Sequence, residues 1–216
     1  MKKLVIFDLD GTLLNTIADL AHSTNHALNK LGYPTHEIEK YNFMVGNGID
    51  KLFERALPEG EKSKENVLHV RKEFVPYYDV HNADDSRPYP GIPELLSYLQ
   101  DAGIQIAVAS NKYQAATQKL IGHYFPEIHF TAVFGQREGI KVKPDPTVVF
   151  DILKIAKITK EEVLYVGDSG VDMQTAANAG VTACGVTWGF RPRAELEEFS
   201  PQYIVDTAEE IKCLIL

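Results

Sequence analysis

Short, almost continuous apolar runs recur along this chain, and they constrain its fold more than any other feature. They lie at 4–7, 104–108, 132–134, 163–166 and 181–186. A strand with one face in water alternates apolar and polar residues, whereas an unbroken run marks a strand covered on both faces. Helical patterns fill the gaps, over 92–102, 113–121, 146–157 and 172–179. Alternating strand and helix predict an α/β fold with a doubly wound, Rossmann-like parallel sheet. Tyr203, Ile204 and Val205 would add an edge strand. In such a sheet, reactive groups collect beyond the carboxyl ends of the strands.

One region breaks the alternation. From about 15 to 82 the pattern is helical, beginning with a stripe of Ile17, Leu20, Ala21, Ala27, Leu28 and Leu31 at helical spacing. Thr16 followed by Asp19 reads as a capping box at its start. The polar stretch 81–88 reads as a linker, and the core resumes at Pro90-Gly91. The expected organisation is an α/β core of residues 1–14 and 83–216, with a helical domain over 15–82 inserted after the first strand. A chain of 216 residues, 44% of them hydrophobic, has the length and apolar content for both.

Composition narrows the partners. A formal net charge of -8, with no dense run of Lys or Arg, argues against nucleic acid. Cys184 and Cys213 are the two cysteines and form no CxxC, so neither a disulfide framework nor a zinc site is expected. Asp8 cuts the first apolar run short of a signal-peptide core, and no apolar stretch approaches a membrane span. The expectation is a cytoplasmic protein without a membrane partner.

Chemistry gathers at four strand ends. The first strand runs into Asp8-Leu9-Asp10-Gly11-Thr12, where a turn at Gly11 lets both carboxylates reach one pocket. Two such acids repel unless a cation or proton lies between them, and taken alone they are equally an N-capping acid and a turn acid. The run 163–166 ends in Gly167-Asp168-Ser169-Gly170-Val171-Asp172, bringing further acids to the same sheet edge. Oxygen ligands delivered by two strands make a magnesium site. Ser110-Asn111-Lys112 follows the second run and offers a hydroxyl and backbone amides for phosphate oxygens, or ordinary turn chemistry. Lys141 and Lys143 precede a helix in Lys-Val-Lys-Pro-Asp-Pro; one of them could neutralise a phosphoryl group, or both could be a solvated pair. Gly-Asp-Ser-Gly also evokes a serine protease, but Val171 stands where a second glycine would, and no His and Asp pair with Ser169.

With all four in order, the chain resembles the haloacid dehalogenase superfamily of phosphohydrolases over essentially its whole length. Asp8-Leu9-Asp10-Gly11-Thr12 resembles the first motif, Ser110 the second, Lys143 the third, and Gly167-Asp168-Ser169 with Asp172 the fourth. The resemblance implies that Asp8 is the nucleophile, forming an aspartyl phosphate, and that Asp10 is the general acid and base. It implies Mg2+ held by Asp8, the backbone carbonyl of Asp10 and Asp168, with Asp172 in support, and phosphoryl oxygens bound by Ser110 and Lys143. Gly11, Thr12, Asn47 and Asn111 are the further expected substrate contacts. The implied partner is a small phosphorylated metabolite, handled by a monomer or homodimer.

Within the superfamily the likeness is greatest to phosphoglycolate phosphatase-like members, through Val45-Gly46-Asn47-Gly48-Ile49, Arg55-Ala56-Leu57, Asn111-Lys112 and the run 185–191. Gly46 and Gly48 either let backbone amides approach an anion or simply punctuate an interhelical turn. Arg55 either meets a substrate carboxylate or is a surface cation; Arg191 and Arg193 either sit near the site or are exposed. Asn15-Thr16 stands where relatives often carry Asp-Ser. His22 and His26 have metal-pair spacing but lie opposite the apolar stripe, on a face expected to be solvated. Three rival readings share features with this one: a phosphomutase similar to β-phosphoglucomutase, a dehalogenase acting at carbon, and a phospho-accepting receiver module. Asp10 argues against the second, and chain length with the inserted helices against the third.

Overall fold

The computed structural model describes residues 1–215. Strand β1 (Leu4–Phe7) opens a core that the chain leaves through the two-residue strand β2 (Leu14–Asn15). Helices α1 (Ile17–Lys30), α2 (Ile49–Ala56) and α3 (Lys64–His81) follow, with a 3-10 turn over Ile38–Phe43, before the chain returns through β3 (Arg87–Pro88). The rest alternates: α4 (Ile92–Asp101), β4 (Gln105–Tyr113), α5 (Gln114–Tyr124), β5 (Ala132–Gln136), α6 (Thr147–Ala156), β6 (Val163–Gly167), α7 (Gly170–Ala179), β7 (Thr182–Val186), α8 (Arg193–Glu198), β8 (Tyr203–Val205) and α9 (Ala208–Cys213).

Six strands form one parallel sheet in the order β5-β4-β1-β6-β7-β8. The unbroken apolar runs are explained by its two covered faces. Val5, Phe7, Ile106, Val108, Leu164 and Val166 point to one side, against Leu95, Leu96 and Leu99 of α4 and Ile211 of α9. Leu4, Ile6, Ala107, Ala109, Val163 and Tyr165 point to the other, against Val149 and Ile152 of α6 and Met173 of α7. Each such Leu, Ile, Val or Phe contributes roughly 1.5–3 kcal/mol by leaving water. Starting at β1, the chain builds outward through β4 and β5, then crosses to β6 and builds the other way. The reversal leaves a crevice at the carboxyl ends of β4, β1 and β6, where open α/β sheets bind ligands.

The inserted helices bury their own apolar cluster, including Leu28 of α1, Phe53 of α2, and Phe74 and Tyr78 of α3. Phe53 and Phe74 meet edge to face with centroids 5.0 Å apart, and Phe74 stacks on Tyr78 at 5.0 Å. The two crossings between insertion and core are paired: β2 and β3 run antiparallel, Leu14 opposite Pro88 and Asn15 opposite Arg87.

Two local readings are corrected. The capping box at Thr16 and Asp19 does not form, because both side chains are drawn into tertiary contacts. Thr16 Oγ1 donates to Asp10 (2.6 Å), and the buried Asp19 carboxylate accepts from the Asp85 N–H (2.9 Å), the Ser86 N–H (2.8 Å) and the Ser86 hydroxyl (2.6 Å). The strand read as ending near 109 continues to Tyr113, its pairing with β5 shifting register between Ala109 and Tyr113. Ser110, Asn111 and Lys112 therefore sit in extended backbone rather than in a turn.

Asp19 ties the outgoing helix to the returning chain, and hydrogen bonds to a charged group are worth about 1.5–3 kcal/mol each. Asp19→Ala is expected to lower the free energy of unfolding by at least roughly 2 kcal/mol. Urea denaturation followed by circular dichroism checks this; an unchanged midpoint would show that the tie is dispensable.

Candidate active site

Asp8 leaves the carboxyl end of β1 and lies on the floor of the crevice, largely buried. Its Oδ1 accepts from the Leu9 N–H (2.7 Å) and pairs with Lys143 Nζ (3.0 Å), so Oδ2 is the oxygen left without a protein partner among the described residues. Lys143 is itself 3% exposed, and its ammonium also pairs with Asp172 Oδ1 at 2.7 Å. Lys141, by contrast, lies in solvent beside Asp145 (3.6 Å), so the structure separates the two lysines of that segment.

Asp172 stands at the first turn of α7 with no exposure at all. One oxygen accepts from Lys143 and the Tyr165 hydroxyl (3.3 Å), the other from the Ser169 N–H (3.2 Å) and hydroxyl (2.6 Å). The capping reading of this acid therefore holds, and the same carboxylate also holds Lys143. Ser169 spends its hydroxyl on that cap, which is no arrangement for a nucleophile.

Asp10 accepts from Thr16 and Lys112. The Lys112 ammonium reaches both its oxygens, at 3.0 and 3.1 Å, and lies 4.8 Å from the centre of the Tyr78 ring on α3. Lys112 was not among the expected site residues. The signal was alternation: in a strand running past Ala109, Lys112 shares a face with Ser110.

Asp8, Asp168 and Asp172 each offer a carboxylate oxygen within 4.8 Å of the others, a donor set that suits a hard divalent cation. Gly11 and Gly189 make room for Asp168, since a methyl group at either would collide with its side chain. The Phe190 N–H (2.7 Å) and Thr12 Oγ1 (3.4 Å) donate to the Asp168 carboxylate. Electrostatics show the strain of this crowding. Burial, then the neighbouring Asp172, push the Asp8 carboxyl up to about 7, against the pull of Lys143. Asp168 is raised for the same reasons, burial first, followed by Asp172 and Asp8. Burial opposes the charge on Lys143, but Asp172 and Asp8 outweigh it and hold its ammonium well above the ordinary lysine value.

A family model described as haloacid dehalogenase-like hydrolase matches residues 5–186, a span that includes Asp8, Asp10, Lys143, Asp168 and Asp172. The chain belongs to that family. Its relatives include a phosphoglycolate phosphatase of Mesorhizobium japonicum, 33% identical over 206 residues, covering 94% of this chain and 90% of that protein. A phosphoglycolate phosphatase of Vibrio parahaemolyticus is 31% identical over 214 residues, covering 97% and 94%. The crystal structure of a predicted phosphoglycolate phosphatase from Haemophilus somnus superposes with a TM-score of 0.92 at 29% identity, covering 100% of this chain and 98% of the other.

In this haloacid dehalogenase-like hydrolase the inserted helices roof the crevice and leave a cavity that opens to solvent. Asp8, Asp10, Ser110, Asn111, Lys112 and Asp168 all line it. The roof is fastened on both sides. Asn111 Nδ2 donates to the Gly46 carbonyl (3.0 Å) and the Lys143 carbonyl (3.1 Å), while its Oδ1 accepts from the Lys143 N–H (2.8 Å). Arg191 donates to the carbonyls of Asn42 and Val45, pairs with Glu195 (3.3 Å) and lies over the Phe43 ring. Arg191 thus belongs to the site as a clasp, whereas Arg193 pairs with Asp206 at the surface (2.6 Å).

Three expected substrate contacts are placed elsewhere. Thr12 is fully buried and serves Asp168; Gly11 turns the chain at φ +84° beneath the same carboxylate. Asn47 does not line the cavity, because Arg55 takes its side-chain oxygen (2.6 Å) while also donating to the Met44 carbonyl (2.8 Å). Arg55 therefore braces the loop instead of facing a ligand. His22 and His26 part company too: His22 lies 3.4 Å from Asp85, and His26 stacks on Tyr77 at 3.9 Å.

The raised Asp8 carboxyl carries a sign that can be tested. A carboxyl with a folded value near 7 and an ordinary value of 3.8 keeps its proton longer in the fold than in the unfolded chain. That contribution to stability is fully present below the unfolded value and is lost as pH rises through the folded one. In EDTA, the Tm of Asp8→Asn is therefore expected to gain on that of the wild type as pH rises from 4 to about 7. Scanning calorimetry of both proteins across the range checks this; a variant that loses ground to the wild type would reverse the assignment.

Proposed function

We propose that this chain is a magnesium-dependent phosphatase that hydrolyses small-molecule phosphate monoesters through an aspartyl phosphate on Asp8. The observation that carries the reading is the state of Asp8: one oxygen is held by Leu9 and Lys143, the other has no protein partner among the described residues, and the carboxylate lines a roofed cavity with Asp10 and Ser110. The names of the relatives support it independently.

Asp8 Oδ2 attacks phosphorus, and the bond from phosphorus to the leaving oxygen breaks. Asp10 gives its proton to that oxygen, releasing an alcohol. Water then attacks the phosphorus of the aspartyl phosphate, Asp10 takes its proton, and inorganic phosphate leaves with Asp8 restored. Lys143 holds Asp8 in line and offers its ammonium to the transferring oxygens, and the Ser110 hydroxyl offers a further donor. Asp172 fixes Lys143 from behind, so its part is positioning. Asp8, Asp168 and the backbone carbonyl of Asp10 would hold Mg2+, with Asp172 in support, and the ion would neutralise charge on the carboxylates and the phosphoryl group. Phosphoglycolate is the first substrate to test, because that name recurs among relatives that match nearly the whole chain.

Phosphate release from phosphoglycolate, sugar phosphates, nucleotides and pyrophosphate is expected to stop in EDTA and return with Mg2+. Asp8→Asn is expected to abolish turnover, and Asp10→Asn to lower kcat by roughly 10²–10⁴. Wild-type turnover by the Asp8→Asn protein would sink the mechanism.

A further inference from the structure

The loop that follows β7 makes two contacts that the phosphatase mechanism leaves unused. At Phe190 its backbone N–H donates to Asp168 Oδ2 (2.7 Å), and Gly189 packs so closely that a methyl group there would meet the Asp168 side chain and the Gly11 carbonyl. One residue on, Arg191 donates to the carbonyls of Asn42 and Val45 in the roof loop. A single peptide unit therefore separates the amide that holds an acid of the metal cluster from the residue that holds the roof.

Glu195 supplies a second connection. Its Oε2 pairs with Arg191 (3.3 Å), while its Oε1 accepts from the Gly170 N–H (3.0 Å). Gly170 opens α7, two residues after Asp168 and two before Asp172. The start of the loop is anchored as well: Trp188 Nε1 donates to the Thr12 carbonyl (3.1 Å), and the Thr12 hydroxyl donates to Asp168 (3.4 Å). The Arg191 guanidinium is thus tied to the acid-bearing turn by two routes, along the chain at Phe190 and through Glu195 at Gly170.

Asp168 offers its oxygen within 4.8 Å of those of Asp8 and Asp172, like charges that push it out of position. A divalent cation among the three would replace that repulsion by attraction and fix Asp168 where it accepts the Phe190 N–H. A hydrogen bond to a fixed, charged acceptor then holds residue 190, and with it the backbone from which Arg191 reaches the roof. The dependence runs both ways, because a coupling free energy between two sites is reciprocal. A fastened Arg191 keeps the Phe190 amide on Asp168, and so keeps that carboxylate oriented for the cation.

We propose that Arg191, held by Glu195, is a positioning residue that couples the fastening of the roof loop to occupancy of the metal site at Asp168. That site is taken from the phosphatase reading, on which the coupling rests; the contacts of Arg191 and Glu195 are independent of it. The consequence is that the roof is held most firmly in molecules that already carry the cation, so that a substrate is enclosed where the site is complete.

The test compares the wild-type protein with Arg191→Met in the absence of substrate. Mg2+ is titrated by calorimetry, and hydrogen exchange is followed by NMR at Met44 and Val45, whose N–H groups donate to the Tyr41 carbonyl (3.0 and 3.1 Å) within the gripped loop. Mg2+ is expected to slow exchange there roughly fivefold or more in the wild type. Arg191→Met is expected to lose that response and to bind Mg2+ more weakly by a similar factor, roughly fivefold or more. Faster exchange in the variant, with Mg2+ affinity and the response to Mg2+ both unchanged, would make Arg191 a structural clasp only and overturn the coupling. Should Arg191→Met fail to fold, Glu195→Gln is measured in its place, since it keeps an acceptor for the Gly170 N–H and removes the charge paired with Arg191; the same two outcomes decide. Phosphate release from phosphoglycolate and sugar phosphates is measured alongside. Coupling in a protein that releases no phosphate would uphold the inference and remove the phosphatase reading, whereas EDTA-sensitive release without coupling would do the reverse.

Discussion

The site depends on one buried ammonium. Lys143 lies between Asp8 and Asp172, 3.0 Å from one and 2.7 Å from the other, in a position closed to water. Without it, the carboxylates of Asp8, Asp168 and Asp172 would face one another across a few ångströms in a medium that screens poorly. The geometry follows from that constraint. Asp172 must be fixed to hold Lys143, and Ser169 and Tyr165 fix it; the Lys143 backbone must be fixed to aim the ammonium, and the Asn111 amide grips both its N–H and its carbonyl.

That grip also links the two parts of the molecule. The amide that holds Lys143 donates to Gly46 in the loop of the inserted helices, and Arg191 fastens the same loop from the other side. Lys112 repeats the pattern for Asp10, with its ammonium on the acid and the Tyr78 ring of the insertion close by. The roof is thereby in contact with the residues that hold Asp8 and Asp10.

The sheet was legible because its cause is local. A strand covered on both faces must be apolar throughout, so the runs at 4–7 and 163–166 declared themselves, and the acids that follow each run had to emerge at the same edge. Asp8, Asp10, Ser110, Lys143, Asp168 and Asp172 are read from that logic and from the family resemblance, and the fold brings all six to one crevice. Short-range signals misled where a distant partner competed. Thr16 and Asp19 have the spacing of a capping box, yet each finds a stronger tertiary partner, Asp10 for one and the Ser86 region for the other. Asn47 looked like a ligand contact until Arg55, eight residues along, took its side chain.

What the sequence by itself determined is the parallel sheet, the strand ends that carry the acids and the helical insertion, because burial periodicity and turn chemistry are written in neighbouring residues. What only the tertiary structure decided is which charges meet. Lys143 rather than Lys141 reaches Asp8, Lys112 takes Asp10, and Arg191 becomes a clasp while Arg55 becomes a brace. A side-chain charge has no preferred partner along the chain. Its pairing is set by which groups the packed core brings within about 4 Å in a medium too dry to screen them, and that is a property of the fold as a whole.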